Sequence, residues 1–180
     1  PTRMGFSDSC PQGLGGFTHG GRGWRLKLNP ALKSYGEDVA NNVLEFLGMA
    51  ITLWLSLREC EEQNLIDEII LCLGDNTCAI SWIFKSGLNT GSMYRDAVLF
   101  IARKIADLVI DSNNFIDSQH LPGVLNMISD WLLFEGTSRI ENGKPKENPI
   151  AHDCPSNEVV THRILSHFPQ LVPEGFRVSP

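Results

Sequence analysis

Three carboxylates stand where an apolar core is expected. Asp8 shares an alternating strand face with Met4 and Phe6 in RMGFSDS, Glu45 is the only charged residue between Asp38 and Arg58, and Asp75 closes the apolar run EIILCL. A fourth acid, Asp130, falls within the helical spacing of residues 124–134. An ionised carboxylate buried without a partner costs several kcal/mol or more, so such positions mean a cap, an ion pair or a metal site. Carboxylate oxygens are the donors that hard divalent cations take. Singly, each acid has a bland reading: Asp8 as a turn residue, Glu45 as an edge residue reaching water, Asp75 as a helix N-cap, Asp130 as a solvated helix position. Together they carry more weight, because strand ends and helix positions of this kind can converge at the carboxyl edge of a parallel sheet.

The elements that must position them can be read from periodicity. Residues 3–9 alternate, and LGGFTHGGRGWRLKL from Leu14 follows with glycines at the turn, which predicts three antiparallel strands. PALKSYGED reads as a loop, after which Asn41 or Asn42 is expected to cap a helix running to about Arg58, apolar nearly all round and so buried. Residues 68–73 have the continuous apolar character of a strand covered on both faces, and Gly74-Asp75-Asn76-Thr77 opens a helix. A second helix is predicted over residues 93–110, with Ala97, Ile101, Ile105 and Leu108 on one face. A strand over 115–121 follows, then a break at Pro122-Gly123 and a helix over 124–134 through Leu125, Ile128, Trp131 and Leu132.

The 180 residues, 42% of them hydrophobic, allow one sizeable core with a small appendage. Residues 1–134 are expected to form the domain, and residues 135–180 a linker, rich in Gly, Pro, Asn and charge as far as Pro155, with a short helix around 159–168. Five scattered cysteines predict reduced thiols and an intracellular protein, in the cytoplasm or nucleus. The most apolar stretch, residues 43–57, is shorter than the roughly 20 residues a bilayer requires and contains Glu45, so no membrane span is expected. The opening PTRMGFSDSC lacks the layout of a signal peptide and runs directly into a strand, as in a piece of a longer polypeptide. A net charge of −6 speaks against holding nucleic acid by bulk electrostatics, although two divalent cations among the acids would offset it locally.

Residues 2–134 resemble the ribonuclease H family, most closely the domains fused to retrotransposon reverse transcriptases. The resemblance rests on Asp8-Ser9 with Gly13-Leu14-Gly15-Gly16 behind it, Asn41-Asn42-Val43-Leu44-Glu45, Asp75-Asn76 after an apolar strand, and His120-Leu121-Pro122-Gly123 through Asn126 to Asp130. It implies an α/β fold with a five-stranded mixed sheet, order 3-2-1-4-5, and helices on both faces. It also implies hydrolysis of the RNA strand of RNA–DNA hybrids by two Mg²⁺ ions, with Mn²⁺ able to substitute. Asp8, Glu45, Asp75 and Asp130 would be the ligands, with Asp8 bridging both ions and His120 moving a proton or helping product leave. Asn41, Ser9, Thr77 and Asn126 would contact substrate, Asn41 through the RNA 2′-hydroxyl.

There are departures. Ala40 stands where cellular members often carry a hydroxyl residue, Thr77 where they often carry glutamine, and only Arg95, Arg103 and Lys104 offer a basic handle on the central helix. A fused polymerase would supply the missing hybrid affinity. Two other readings remain at this stage: a DNA-cutting integrase or resolvase relative, and an inactive connection or scaffold domain. His152, Cys154, His162 and His167 match no common zinc spacing.

Overall fold

A computed structural model describes residues 2–10, 13–27, 37–84, 94–126, 138–141 and 144–147. Strands β1 (Arg3–Cys10), β2 (Gly13–Thr18) and β3 (Gly23–Lys27) form an antiparallel meander, as the alternation predicts. Helix α1 (Glu37–Glu62) then crosses to β4 (Ile69–Gly74), which lies parallel to β1, and α2 (Thr77–Phe84) and α3 (Arg95–Ser112) lead to β5 (Phe115–His120), parallel to β4. The result is a five-stranded mixed sheet in the order β3-β2-β1-β4-β5, the order the resemblance implies.

The apolar character of α1 follows from its place. It packs against β1, β2 and β4 on one side and α3 on another, so Phe46, Met49, Ile51, Leu53, Trp54 and Leu57 are all buried, with Leu14, Trp24 and Ile70 from the sheet and Val98, Ile101 and Ile105 from α3. The helix starts four or more residues before the asparagines expected to cap it. Their side chains bond to neighbouring elements instead, so tertiary partners override a local capping preference.

Polar residues spaced three or four apart on α1 meet the sheet. Thr52 Oγ1 accepts from Trp24 Nε1 at 3.0 Å and donates to the Phe6 carbonyl at 3.3 Å. Gly16 is required beneath this contact, since a Cβ there would sit 2.4 Å from the Phe6 carbonyl oxygen and 2.7 Å from Thr52 Oγ1. One turn from the end of α1, buried Glu59 accepts from Arg3 at 3.2 Å, from the Gly20 amide at 3.1 Å and from the Thr18 hydroxyl. This network ties the end of α1 to the start of β1 and the β2–β3 turn. Glu59→Ala would leave Arg3 buried without its anion, and the expected loss is about 3 kcal/mol, read as a lower urea midpoint.

Strand β4, α3 and β5 lie within two residues of their expected limits. The face carrying Arg3, Gly5 and Ser7 is covered by α1, and Ser118 on β5 bonds the α2 carbonyl of Ile80 from that same side. Of the stretch expected as a helix over 124–134, the described residues show a 3₁₀ turn at Gly123–Leu125 with Asn126 outside it; residues 127–134 lie outside the described residues. Within the stretch expected as linker, β6 (Ser138–Glu141) and β7 (Lys144–Glu147) pair as an antiparallel ladder, flanking Asn142-Gly143, a dipeptide that favours tight hairpins. The helix expected over 159–168 lies outside the described residues. Among the described residues no helix is long and apolar enough to cross a membrane, and Cys10, Cys60, Cys72 and Cys78 form no disulfide.

Candidate metal centre

Strands β1 and β4 pair in parallel from Arg3 opposite Ile70 to Phe6 opposite Leu73. Beyond that pair the ladder stops; Asp8 lies two residues further along β1, and Asp75 two residues past Leu73, just after the end of β4. The strand order reverses here, with β2 and β3 on one side of β1 and β4 and β5 on the other, which is where open sheets of this kind form a crevice. Glu45, in the third turn of α1, reaches the same point. Asp8, Glu45 and Asp75 each offer an oxygen, and the three oxygens lie within 4.8 Å of one another.

Glu45 is the buried member, 3% exposed, and Asp8 is half-buried. Ser9 holds them together: its amide lies 2.8 Å from Asp8 Oδ1 and 3.1 Å from Glu45 Oε1, and its hydroxyl donates to Glu45 Oε1 at 2.7 Å, with Asn41 Oδ1 at 3.2 Å. Desolvation by burial, reinforced by the charges of Asp8 and Asp75, pushes the Glu45 carboxyl up to about 8, against the opposing pull of the Ser9 hydrogen bonds. The donors are all carboxylate oxygens around one point, with no nitrogen or sulfur among them, and that set fits a hard divalent cation. A cation bound there relieves the mutual repulsion. The melting temperature is therefore expected to rise between EDTA and millimolar Mg²⁺ or Mn²⁺, by calorimetry or dye-monitored melting, and an unchanged value contradicts a metal site.

The remaining sequence-predicted residues distribute around this crevice. His120 ends β5 as the register partner of Gly74, exposed, beside the residue that precedes Asp75. Thr77 is exposed in the first turn of α2. Asp75 does not cap that helix: Asn76 does, its Oδ1 accepting from the Ala79 amide at 3.0 Å. Asn76 also donates to Asn42 Oδ1 at 2.7 Å and so links α1 to the β4–α2 turn, a role invisible in sequence because a capping asparagine looks the same with or without a second partner. Asn126, expected at the substrate, is 2% exposed, and its Nδ2 donates to the Ser7 carbonyl at 2.9 Å. Asp130 lies outside the described residues.

The fold and site together define an α/β domain with an acid cluster at the topological switch point of a 3-2-1-4-5 sheet. Among solved structures the chain is similar to ribonuclease H1 from the halophilic archaeon Halobacterium salinarum, at 15% identity and a TM-score of 0.45, over 72% of this chain and 92% of that one. It is also similar to the N-terminal ribonuclease H domain of a Mycobacterium tuberculosis protein, solved as a fusion with maltose-binding protein, at 13% identity and a TM-score of 0.45, over 72% and 90%. No protein-family model and no curated protein matches the sequence.

Proposed function

We propose that the chain is a divalent-metal-dependent ribonuclease H that hydrolyses the RNA strand of RNA–DNA hybrids, as a domain of a retrotransposon reverse transcriptase polyprotein. The observation that carries the reading is the convergence of Asp8, Glu45 and Asp75, from three separate elements, on one point at the strand ends. Asp130 is proposed as the fourth ligand on the sequence pattern His120 to Asp130.

Two Mg²⁺ or Mn²⁺ ions held by these acids would supply an activated water and stabilise charge on the departing 3′-oxygen, leaving a 3′-hydroxyl. The chain's own residues do the rest. Ser9 fixes the Asp8 and Glu45 carboxylates by its amide and hydroxyl, so ligand oxygens are in place before substrate arrives. Asn41, on α1 one turn before Glu45 and with its Oδ1 beside the Ser9 hydroxyl, is proposed to hydrogen-bond a 2′-hydroxyl, the group that distinguishes RNA from DNA. His120, exposed at the end of β5, takes up or delivers a proton at the cleft. Thr77, exposed in the first turn of α2, is proposed to face the RNA strand.

A net charge of −6 leaves little long-range attraction for a polyanion, which is consistent with a domain that relies on a fused polymerase for hybrid affinity. The experiment is incubation with labelled RNA–DNA hybrid, double-stranded RNA and duplex DNA, in Mg²⁺, Mn²⁺ and EDTA. Cleavage of the hybrid's RNA strand alone, with either metal and not in EDTA, is expected. Cutting of duplex DNA would favour an integrase or resolvase relative, and no cutting at all an inactive scaffold domain.

A further inference from the structure

The segment that follows β5 touches both acid-bearing strands. The Leu121 amide donates to the Gly74 carbonyl at 2.8 Å, one residue before Asp75. Gly123 packs so closely on Asp75 that a Cβ built there would lie 3.0 Å from Oδ2. The 3₁₀ turn Gly123–Leu125 closes with the Asn126 amide on the Gly123 carbonyl at 3.0 Å, and this brings the Asn126 side chain into the fold at 2% exposure. There its Nδ2 donates at 2.9 Å to the carbonyl of Ser7, a residue 119 positions earlier.

Pairing with β4 ends at Phe6, so Ser7 faces β4 across the place where the two strands part, its oxygen 3.8 Å from the Cβ position of Gly74. Backbone carbonyls left unpaired at a strand end normally turn to water. Here one is held by a side chain immediately before Asp8. Among the described residues Asn126 Oδ1 itself takes no hydrogen bond, so burial of this asparagine is compensated through its donor end alone.

We infer that Asn126 is a positioning residue for the metal centre rather than a substrate contact: with Gly123 it braces the ends of β1 and β4, setting the separation of Asp8 and Asp75. It rests on the metal-dependent nuclease reading above.

The test uses Asn126→Leu, which keeps the branched shape and removes the donor, and Gly123→Ala, which leaves a surface position and presses on the Asp75 carboxylate. Asn114→Ala is the comparison. Asn114 is also a buried asparagine that bonds backbone, to the Ser112 carbonyl and the Glu68 amide, but at the opposite end of β5. Partners that orient metal ligands are typically worth ten- to a hundredfold in metal affinity or activity. The expected result is a kcat at least about tenfold lower for Asn126→Leu and Gly123→Ala, an Mn²⁺ requirement raised by a similar factor and a KM for hybrid near parental, whereas Asn114→Ala loses heat stability and keeps both kcat and metal requirement. Parental kcat and Mn²⁺ requirement in both Asn126→Leu and Gly123→Ala, with only the melting temperature lowered, would overturn the inference. A parental protein that cleaves no hybrid overturns the nuclease reading instead, and is recognised because the fault precedes any substitution.

Discussion

Asp75→Asn is expected to slow hybrid cleavage by a hundredfold or more while the protein stays folded. Asparagine keeps the size of the side chain and removes one negative ligand oxygen from a cluster whose members lie within 4.8 Å of one another. Weakening a cation that stabilises transition-state charge by about 3 kcal/mol lowers the rate by more than two orders of magnitude. The helix behind it loses nothing, because Asn76 and not Asp75 accepts the Ala79 amide, so a capping role cannot account for a loss of activity. With one repulsive charge gone, the metal-free variant is expected to melt at or above the parental temperature. Cleavage at the parental rate contradicts the assignment of Asp75 as a ligand.

The second large effect belongs to Glu45. In the metal-free protein its carboxyl is raised to about 8 by burial and by the charges of Asp8 and Asp75, whereas in the unfolded chain it titrates near the ordinary 4.5. Between those two values the folded state holds a proton that the unfolded state has released, so stability falls as pH rises through this window and levels off above it. The full fall is on the order of 5 kcal/mol, counted at 1.36 kcal/mol per pH unit. Glu45→Gln keeps Oε1 as acceptor for the Ser9 amide and hydroxyl and has no proton to lose. Urea unfolding in EDTA should therefore show the parental protein losing stability from pH 5 to pH 8 and the variant losing far less, so that the variant is the more stable protein at pH 8 and inactive on hybrid. An equal pH slope in the two proteins contradicts the burial of an ionisable Glu45. Because a bound cation requires the ionised carboxylate, metal affinity is expected to rise with pH over the same window.

Much of this was legible in the sequence because the informative residues break local patterns. A single glutamate in an otherwise uncharged stretch, and an aspartate closing an apolar strand, are anomalies that only tertiary structure resolves, and they led to the acids that meet. The meander and the buried β4 follow from spacing alone, and so do Ile101 and Ile105 on α3, although Val98 and not the exposed Ala97 completes the buried face of that helix. Other features were hidden because the same residue types serve two ends. Asn41 and Asn42 look like caps and instead sit inside α1, bonded to Ser9 and Asn76. Glu59 lies in the charged run RECEE, where nothing distinguishes a buried ion-pair partner from a solvated helix end, yet it holds Arg3. Asn126 fits a family motif without disclosing that its amide belongs to a carbonyl 119 residues away. The β6–β7 ladder was masked by charge and proline, although Asn142-Gly143 is a hairpin signal in its own right.

Metal binding by Asp8, Glu45 and Asp75 is tested by an anomalous difference map from crystals equilibrated with Mn²⁺. The expected result is a peak bonded to carboxylate oxygens of Asp8, Glu45 and Asp75 at the separation of about 2.0–2.2 Å usual for small hard cations, and the loss of that peak in Asp75→Asn crystals. A map with no peak between the ends of β1 and β4, or with Mn²⁺ bound only at other acids, would contradict it.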